Sequence, residues 1–240
     1  MSSQLPLALR WPAQQRFDSF LAGANSLALG LLRDAAASPL APWVFVAGPS
    51  GSGRTHLLIA ACAQADAEGR SAQYIALRRR RDDSAAGRSM GDQAEALRTL
   101  GGSDVLALDD IDVLAGDRDA EVALFDLYNR CKVDKSTLLF SAGAAPGQLG
   151  IELPDLVSRL SACAQVALKP LSDAERREAL RQRAQARGLT LDDSVLDWLF
   201  ARTQRDLGSL TALLERLDRE SLAAQRRITV PFLRQLFGGS

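Results

Sequence analysis

The sequence predicts an α/β fold, in which helices cover both faces of a parallel sheet, followed by a small unit made only of helices. Two observations lead to this prediction. Apolar strand-like runs alternate with helix-like runs as far as Pro170, and helix-like patterns alone follow it. The strand-like runs are largely apolar, which is typical of a sheet that is buried on both faces. We therefore predict a flexible tail over residues 1–12, an α/β domain over 13–170 and a helical lid over 171–240.

Five segments have the composition of strands, and helix-like segments lie between them. The strand candidates are WVFVA (43–47), AQYIAL (72–77), DVLALDD (104–110), TLLFSA (137–142) and AQVALK (164–169). The intervening helices are predicted near residues 55–66, 91–100, 118–132 and 154–162. A capping box, Ser172 with Glu175, opens the first helix of the lid. The run RRRRDD (78–83) is interpreted as a solvated loop, with a nucleic-acid contact as the alternative.

The composition restricts the classes of function. The 29 basic and 29 acidic residues balance, so no overall positive field favours nucleic acid, and we predict no direct sequence-specific DNA binding. Three widely spaced cysteines in apolar stretches and a single histidine indicate reduced core residues rather than a metal site. The sequence shows no apolar run of membrane-helix length and no signal-peptide pattern. We therefore predict a cytoplasmic protein without a membrane partner.

A glycine-rich segment between the first strand and the following helix carries the main functional signal. It departs from the phosphate-binding pattern G-x-x-x-x-G-K-[ST] at one position, where arginine replaces lysine. Its glycines allow the turns that direct backbone N–H groups at phosphate oxygens, next to a helix N-terminus. A glycine-rich turn without a ligand is the alternative. The predicted nucleotide-binding residues are Gly48, Pro49, Ser50, Gly51, Ser52, Gly53, Arg54, Thr55 and His56.

Five polar residues define how this site would hold a nucleotide and its metal ion. Arg54 keeps the charge of lysine, but its larger planar group requires a different geometry. Thr55 is placed to bind Mg²⁺ through its hydroxyl, and Asp109, at the end of an apolar run, would supply a carboxylate beside that ion. Asp110 is a candidate for orienting an attacking water, and His56 is interpreted as a packing residue rather than a general base. These features predict nucleotide binding, whereas efficient hydrolysis does not follow from them.

Three segments in this order, GPSGSGRTHLL, VLALDDIDVLAGD and LPDLVSRL, resemble the AAA+ ATPase domain of the DnaA family of replication initiators. LFDLYNR (124–130) and ITVPFLRQLF (228–237) are similar to the shorter Hda branch of that family. The resemblance implies an AAA+ P-loop domain with a five-stranded parallel sheet of order 5-1-4-3-2 and a helical lid. It also implies bound ADP or ATP with Mg²⁺, with FDSFLAGANSLAL (17–29) lying over the adenine. Hda-like proteins tend to carry arginine in place of the P-loop lysine, in agreement with Arg54.

Both ends of the chain also resemble the Hda branch. The chain ends just after the predicted lid, so we expect no C-terminal helix-turn-helix domain of the kind that initiators carry. Near the other end, QLPLAL is similar to the peptide by which Hda-like proteins bind the DNA polymerase III β sliding clamp. A segment that packs on its own domain is the alternative. In the clamp interpretation, side chains on an extended tail would contact a rim and apolar pockets, and these are Gln4, Leu5, Leu7 and Leu9.

Three further positions are assigned by the resemblance. Gly143 and Gly208 stand where the family carries its two polar sensor residues, so these sensors are expected to be lost. Arg159 matches the arginine finger, which reaches from one subunit into the nucleotide of its neighbour. Apolar neighbours such as Leu156 and Leu160 would anchor its helix and leave the guanidinium facing outward. A surface arginine in a salt bridge is the alternative.

The resemblance as a whole implies a negative regulator of replication initiation. Such a protein holds ADP, binds the DNA-loaded clamp and stimulates hydrolysis of DnaA-bound ATP through Arg159, with at most weak hydrolysis of its own. A homodimer is left open. One alternative is an autonomous AAA+ ATPase such as a helicase loader, which would use Arg54, Asp109 and Asp110 on its own ATP. Another is an adaptor for the clamp or for DnaA with no catalytic effect.

Overall fold

A computed structural model of the protein describes residues 11–77, 91–202, 213–214, 216–220 and 228–237. The chain divides into two compact units, residues 1–170 and 171–240. The run RRRRDD, the four clamp-motif candidates and Gly208 lie outside the described residues. Within the described ranges, no helix is both long enough and apolar enough to cross a membrane.

The first unit is built on a five-stranded parallel sheet with the order β2-β3-β4-β1-β5. Read from the other edge, this is the order 5-1-4-3-2, so the predicted fold class is confirmed. β1 pairs with both β4 and β5, and this places the end of β1 in the interior of the sheet. The strands are β1 Val44–Ala47, β2 Ala72–Ala76, β3 Val105–Asp109, β4 Thr137–Ala142 and β5 Ala164–Ala167.

Within the described ranges this unit contains five helices and several short 3-10 turns, and four of the helices connect consecutive strands while α1 precedes β1. The turn Ile111–Leu114 directly follows β3, and the turn Phe17–Ser19 precedes the first helix. Helix α1 is absent from the sequence-based prediction, whereas the other four lie within about two residues of their predicted bounds, as is usual for helix ends. The helices are α1 Ser26–Ala37, α2 Arg54–Ala67, α3 Gly91–Thr99, α4 Arg118–Asp134 and α5 Pro154–Ser161.

Each face of the sheet carries its own apolar core. Successive residues of a strand point to opposite faces, so Val44 and Val46 belong to one cluster and Phe45 to the other. The cluster of Val44 contains side chains of α1 and α2, and the cluster of Phe45 contains side chains of α3, α4 and α5. Burial on both faces explains why the three inner strands β1, β3 and β4 lack an alternation of apolar and polar residues, whereas the edge strands β2 and β5 are partly exposed.

The segment before α1 is fastened by two polar side chains. Arg16 donates from Nη1 to the carbonyl of Pro12 at 2.6 Å and from Nη2 to the carbonyl of Trp11 at 3.0 Å. Asn25, which is buried, pairs with the backbone of Lys169 through both ends of its amide. Asn25 Nδ2 donates to the Lys169 carbonyl at 3.0 Å, and the Lys169 N–H donates to Asn25 Oδ1 at 2.8 Å. This segment is therefore bound to the residues that follow β5.

The second unit is helical. Its first helix begins at the predicted capping box, where the Glu175 N–H donates to Ser172 Oγ at 3.3 Å and the Ser172 N–H donates to Glu175 Oε2 at 2.7 Å. The helices α6 Asp173–Gln185, α7 Asp193–Arg202 and α8 Val230–Phe237 are described. They enclose a separate apolar core that includes Leu180, Leu196, Leu199, Leu217 and Leu233.

Candidate nucleotide-binding site

The glycine-rich segment, the P-loop, joins the end of β1 to the start of α2. Gly51 has φ +77° and Gly53 has φ +101°, a region that residues with side chains rarely adopt. Because α2 begins at Arg54, the N–H groups of its first turn and the positive end of its dipole lie beside this loop. The local structure is therefore of the kind that binds anions.

Two neighbours restrict what the loop can contain. A Cβ on Gly48 would lie 2.8 Å from Ser52 Oγ and 3.0 Å from Leu168 Cβ, so the loop and the end of β5 leave no room for a methyl group. A Cβ on Gly53 would lie 2.7 Å from Cε2 of Phe20, which belongs to the segment before α1. Packing therefore requires glycine at position 48, and packing together with a positive φ requires it at position 53.

Two buried polar atoms of the loop are suited to an anionic ligand. Ser52 Oγ and Arg54 Nη1 have no hydrogen-bond partner among the described residues. Ser52 itself is only 5% exposed. Leaving a buried polar group without a partner costs about 1–3 kcal/mol, and phosphate oxygens would remove that cost. The residues present therefore fit the phosphate groups of a nucleotide.

Arg54 is bound to a carboxylate in this structure. Its Nη2 donates to Asp110 Oδ1 at 2.8 Å, and the two side chains are only 12% and 14% exposed. Asp110 has φ +60°, and its N–H donates to Ser141 Oγ at 3.0 Å. From the sequence, Arg54 is expected to contact phosphate and Asp110 to orient a water, whereas in the structure the two side chains are paired with each other.

Asp109 is fully buried and accepts hydrogen bonds from three hydroxyl groups. Thr55 Oγ1 and Tyr74 OH donate to its Oδ2 at 2.7 Å and 2.6 Å, and Ser141 Oγ donates to its Oδ1. A hydroxyl that donates its hydrogen to a carboxylate keeps oxygen lone pairs for a hard cation such as Mg²⁺. The described ranges contain no group of three or more His, Cys, Asp or Glu side chains suited to a metal ion. Thr55 and Asp109 would therefore hold Mg²⁺ together with ligands from the nucleotide and water.

His56 fixes the segment that precedes α1. Its Nε2 lies 2.8 Å from the carbonyl oxygen of Arg16, and its ring meets that of Phe20 edge-on at 5.3 Å between centroids. The side chain is buried, with 8% of the residue exposed. These contacts hold Phe20 against Gly53, so His56 supports the P-loop indirectly, through the ring of Phe20.

Arg159 lies on α5, which is anchored in the core by Leu156 and Leu160. Its guanidinium carbon is 5.7 Å from the ring centroid of Phe125 and 5.6 Å from that of Tyr128, both on α4. Burial raises the pKa of Tyr128, an effect that the positive charge of Arg159 partly opposes. As a residue Arg159 is partly exposed, and the outward orientation of its guanidinium toward a partner stays a prediction.

The structure also reveals a positioning residue that the sequence analysis missed. Glu121, in the first turn of α4, is fully buried. Its Oε1 accepts the N–H groups of Gly116 at 2.9 Å and Glu152 at 3.0 Å, and its Oε2 accepts those of Glu152 at 3.0 Å and Leu153 at 2.8 Å. Leu153 precedes the first residue of α5, so this carboxylate fixes the start of the helix that carries Arg159. An acidic residue in a first turn is ordinary, and nothing in the sequence signals its burial.

At the end of β4, Gly143 leaves a position without a side chain. A Cβ there would lie 3.5 Å from Asp112 Oδ2, so a carboxylate from the 3-10 turn Ile111–Leu114 faces this position. Asp112 Oδ1 is buried and has no hydrogen-bond partner among the described residues. The Asp112 carboxylate therefore lies beside the Gly143 position, whose assignment as a lost sensor stays a prediction.

Comparison with known families agrees with the fold. A family model of the bacterial DnaA ATPase domain matches residues 12–167. The protein is therefore an AAA+ protein of the DnaA type, and the chain belongs to the family of bacterial DnaA ATPase domains. Within that class, residues 173–237 match the lid domain of Hda, so the two matches together are consistent with Hda.

Solved structures show the same fold at low sequence identity. Domain III of the DnaA protein from Thermotoga maritima is 21% identical, with 95% of this chain and 97% of that chain covered and a TM-score of 0.76. AMPPCP-bound DnaA from Aquifex aeolicus is 22% identical, with 90% and 71% covered and a TM-score of 0.64. A DnaA bound to AMPPCP and single-stranded DNA is 21% identical, with a TM-score of 0.65. The match to that initiator covers 87% of this chain and 66% of the initiator chain.

Proposed function

We propose that this protein is a nucleotide-bound regulator that limits replication initiation by stimulating hydrolysis of the ATP on DnaA. The observation that carries the proposal is the order of the two family matches, a DnaA-type ATPase unit followed by a lid of the Hda type. The bound nucleotide is ADP, and its role is structural. The reaction takes place in the partner.

The P-loop supports the nucleotide part of this proposal. Gly51 and Gly53 give the backbone turn, the N-terminus of α2 gives N–H groups, and two buried polar atoms need an acceptor. Thr55 and Asp109 would hold Mg²⁺. The Arg54–Asp110 ion pair and the bare Gly143 position disfavour efficient hydrolysis at this site. We therefore assign the protein a nucleotide that it holds rather than turns over.

Arg159 is the residue proposed to act on the ATP of DnaA. The transferred phosphoryl group spreads negative charge in the transition state, and a guanidinium supplied by a neighbouring protein stabilises that charge. Contact with the rings of Phe125 and Tyr128 keeps the planar group ordered without neutralising its charge. Delivery to DnaA would require this group to reach beyond the two rings.

The decisive experiment measures hydrolysis of DnaA-bound ATP with and without the protein, in the presence of DNA loaded with the sliding clamp. Fingers supplied in trans accelerate well-studied GTPases by roughly 10³–10⁵, so Arg159→Ala should remove most of the stimulation while the protein stays folded. Arg159→Lys should rescue poorly, because it brings charge without the planar fork. Arg33→Ala is a matched control, since Arg33 also lies over an aromatic ring, at 5.4 Å from that of Phe17.

Three results would contradict the proposed function. Full stimulation by Arg159→Ala would leave an adaptor without a catalytic effect. Steady ATP turnover by the isolated protein at about 10 s⁻¹, the median for enzymes, would favour an autonomous ATPase. Denatured protein that releases no nucleotide, together with a melting temperature that ADP does not raise, would remove the nucleotide.

Clamp binding is proposed for the tail and is tested separately. Gln4 and the leucines at positions 5, 7 and 9 carry the predicted motif. Replacing Leu5 and Leu7 with alanine should abolish capture by the purified clamp and leave the melting temperature nearly unchanged. If the double variant instead melts early, the tail packs on its own domain and the clamp assignment is wrong.

A further inference from the structure

We propose that the helical unit of this protein contacts the phosphate backbone of DNA through an arginine–aromatic row, formed by Arg202, Trp198, Phe237 and Arg216. All four residues belong to the second unit, residues 171–240. Such a contact goes beyond the proposed function, in which the clamp alone supplies the connection with DNA. Because phosphate contacts carry no sequence information, it also agrees with the prediction of no sequence-specific DNA binding.

The arginine–aromatic row joins three segments of the helical unit. The guanidinium carbon of Arg202 lies 4.7 Å from the ring centroid of Trp198, which precedes it by one turn of α7. The ring of Trp198 packs against that of Phe237, at the end of α8, with 5.8 Å between the centroids. The guanidinium carbon of Arg216 lies 5.0 Å from the ring centroid of Phe237. Contact with an aromatic ring orders each guanidinium and leaves its positive charge in place.

The two arginines of the row differ from three arginines of α6 in their charge partners. Arg176, Arg177 and Arg181 each form an ion pair with acids of α6 or α7. Among the described residues of this unit, neither Arg202 nor Arg216 has an acid within ion-pair distance, and both arginines are exposed. Stacking on a ring uses none of the five N–H donors of a guanidinium, so both groups can donate to an anion from solution.

The row offers a partner positive charge rather than an apolar groove. Each of its two rings already contacts a guanidinium and the other ring, whereas protein interfaces depend on anchors that fill apolar pockets. Double-stranded DNA carries one negative charge per about 1.7 Å of its axis, so two exposed cations can contact it in many registers. Guanidinium groups bind phosphate through two parallel hydrogen bonds. The charges of the row therefore favour the DNA backbone over a protein partner.

The test is fluorescence anisotropy of the full chain with a fluorescein-labelled DNA duplex, without clamp or DnaA, at several salt concentrations. The double variant Arg202→Gln/Arg216→Gln removes both charges and keeps side chains that can pack on the rings. At low salt it should bind at least about tenfold more weakly than the unmodified protein. The slope of log Kd against log salt concentration should fall by about 1.8, since each lost phosphate contact removes about 0.9. Two duplexes of unrelated sequence should give the same Kd.

Arg177→Gln is the matched control for this experiment. Arg177 also lies over an aromatic ring, at 5.0 Å from the centroid of Phe200, but it is paired with Asp197 at 2.6 Å. Its Kd and salt slope should equal those of the unmodified protein. A second double variant, Arg202→Lys/Arg216→Lys, keeps both charges and should keep the salt slope. This variant separates the loss of charge from the loss of packing on the rings.

Three results would overturn the DNA contact. The first is an unmodified protein that does not bind the duplex, or a double glutamine variant whose salt slope is unchanged. The second is a double lysine variant that binds as weakly as the double glutamine variant, because packing would then explain the loss. The third is unchanged duplex binding with loss of DnaA capture, which would assign the row to a protein partner. Stimulation of DnaA through Arg159 is measured separately, so either proposal can fail while the other stands.

Discussion

The substitution Glu121→Gln tests how the helix of Arg159 is held in place. Glutamine keeps the size of the side chain, but one of its two terminal atoms becomes a donor. Because both oxygens of Glu121 accept backbone N–H groups, every orientation of the amide sets an NH₂ group against an N–H, at either Gly116 or Leu153. The variant therefore loses at least one charge-assisted hydrogen bond and leaves one donor buried without an acceptor.

The expected loss of stability follows from these contacts. An unsatisfied buried polar group costs about 1–3 kcal/mol, so we expect the free energy of unfolding to fall by about 2 kcal/mol. For a domain of this size, each kcal/mol shifts the melting temperature by about 2–4 °C. Glu121→Gln should therefore melt about 4–8 °C below the unmodified protein when followed by circular dichroism.

Glu95→Gln is the matched control, because Glu95 is 71% exposed and lies 3.7 Å from Arg98. A surface pair of this kind contributes about 0–1 kcal/mol, so its transition should move little. A loss of a few tenths of a kcal/mol lowers the melting temperature by about 1 °C. If the melting temperatures of Glu121→Gln and the control differ by no more than this, Glu121 does not fix the start of α5. Stimulation of DnaA should fall in parallel with the loss of stability, since Leu153 precedes that helix.

Three further predictions concern the P-loop, a buried thiol and a surface carboxylate. Gly48→Ala should abolish the rise in melting temperature with ADP, because its methyl would lie 2.8 Å from Ser52 Oγ. Burial raises the pKa of Cys62 to about 12, so at pH 8 its thiol should react with a maleimide only after denaturation. Hydrogen bonds from the Ser71 hydroxyl and N–H lower the pKa of Asp104, so its stabilisation is present above its unfolded pKa and is lost as pH falls through the folded value. The deficit of Asp104→Asn in unfolding experiments should accordingly be larger at pH 7 than at pH 3.

Much of the fold could be predicted because its signals are local. Apolar strands and capping residues occupy short stretches of sequence, and the start of α6 at Ser172 is where the capping box predicts it. Helix α1 escaped prediction because Gly30 lies in its middle and lowers the intrinsic helix preference. Burial of Leu32 and Ala35 against the sheet compensates for that glycine, and such packing cannot be read from a single segment.

The site was predictable in its parts and not in their pairing. The P-loop and Asp109 follow from residue types at fixed spacing, whereas the Arg54–Asp110 pair joins residues that are 56 positions apart. Both residues were assigned a role toward a ligand, and only the folded chain shows that they form an ion pair with each other. Resemblance to the family predicts Arg159 as an arginine finger. The position of its guanidinium over the rings of Phe125 and Tyr128 depends on how α4 and α5 pack, which the sequence does not reveal.

The amide of Asn25 has a consequence for the edge of the sheet. β5 is an edge strand, and the N–H of Leu168 points inward, donating to Ala47 of β1 at 2.7 Å. Backbone groups alternate in direction along a strand, so the N–H and carbonyl of Lys169 point away from β1. There both groups form hydrogen bonds with the side-chain amide of Asn25. An open edge is a template for pairing with another chain. The Asn25 side chain forms the two hydrogen bonds that a neighbouring strand would otherwise form with Lys169. A second copy of the protein therefore cannot pair with Lys169 to extend the sheet.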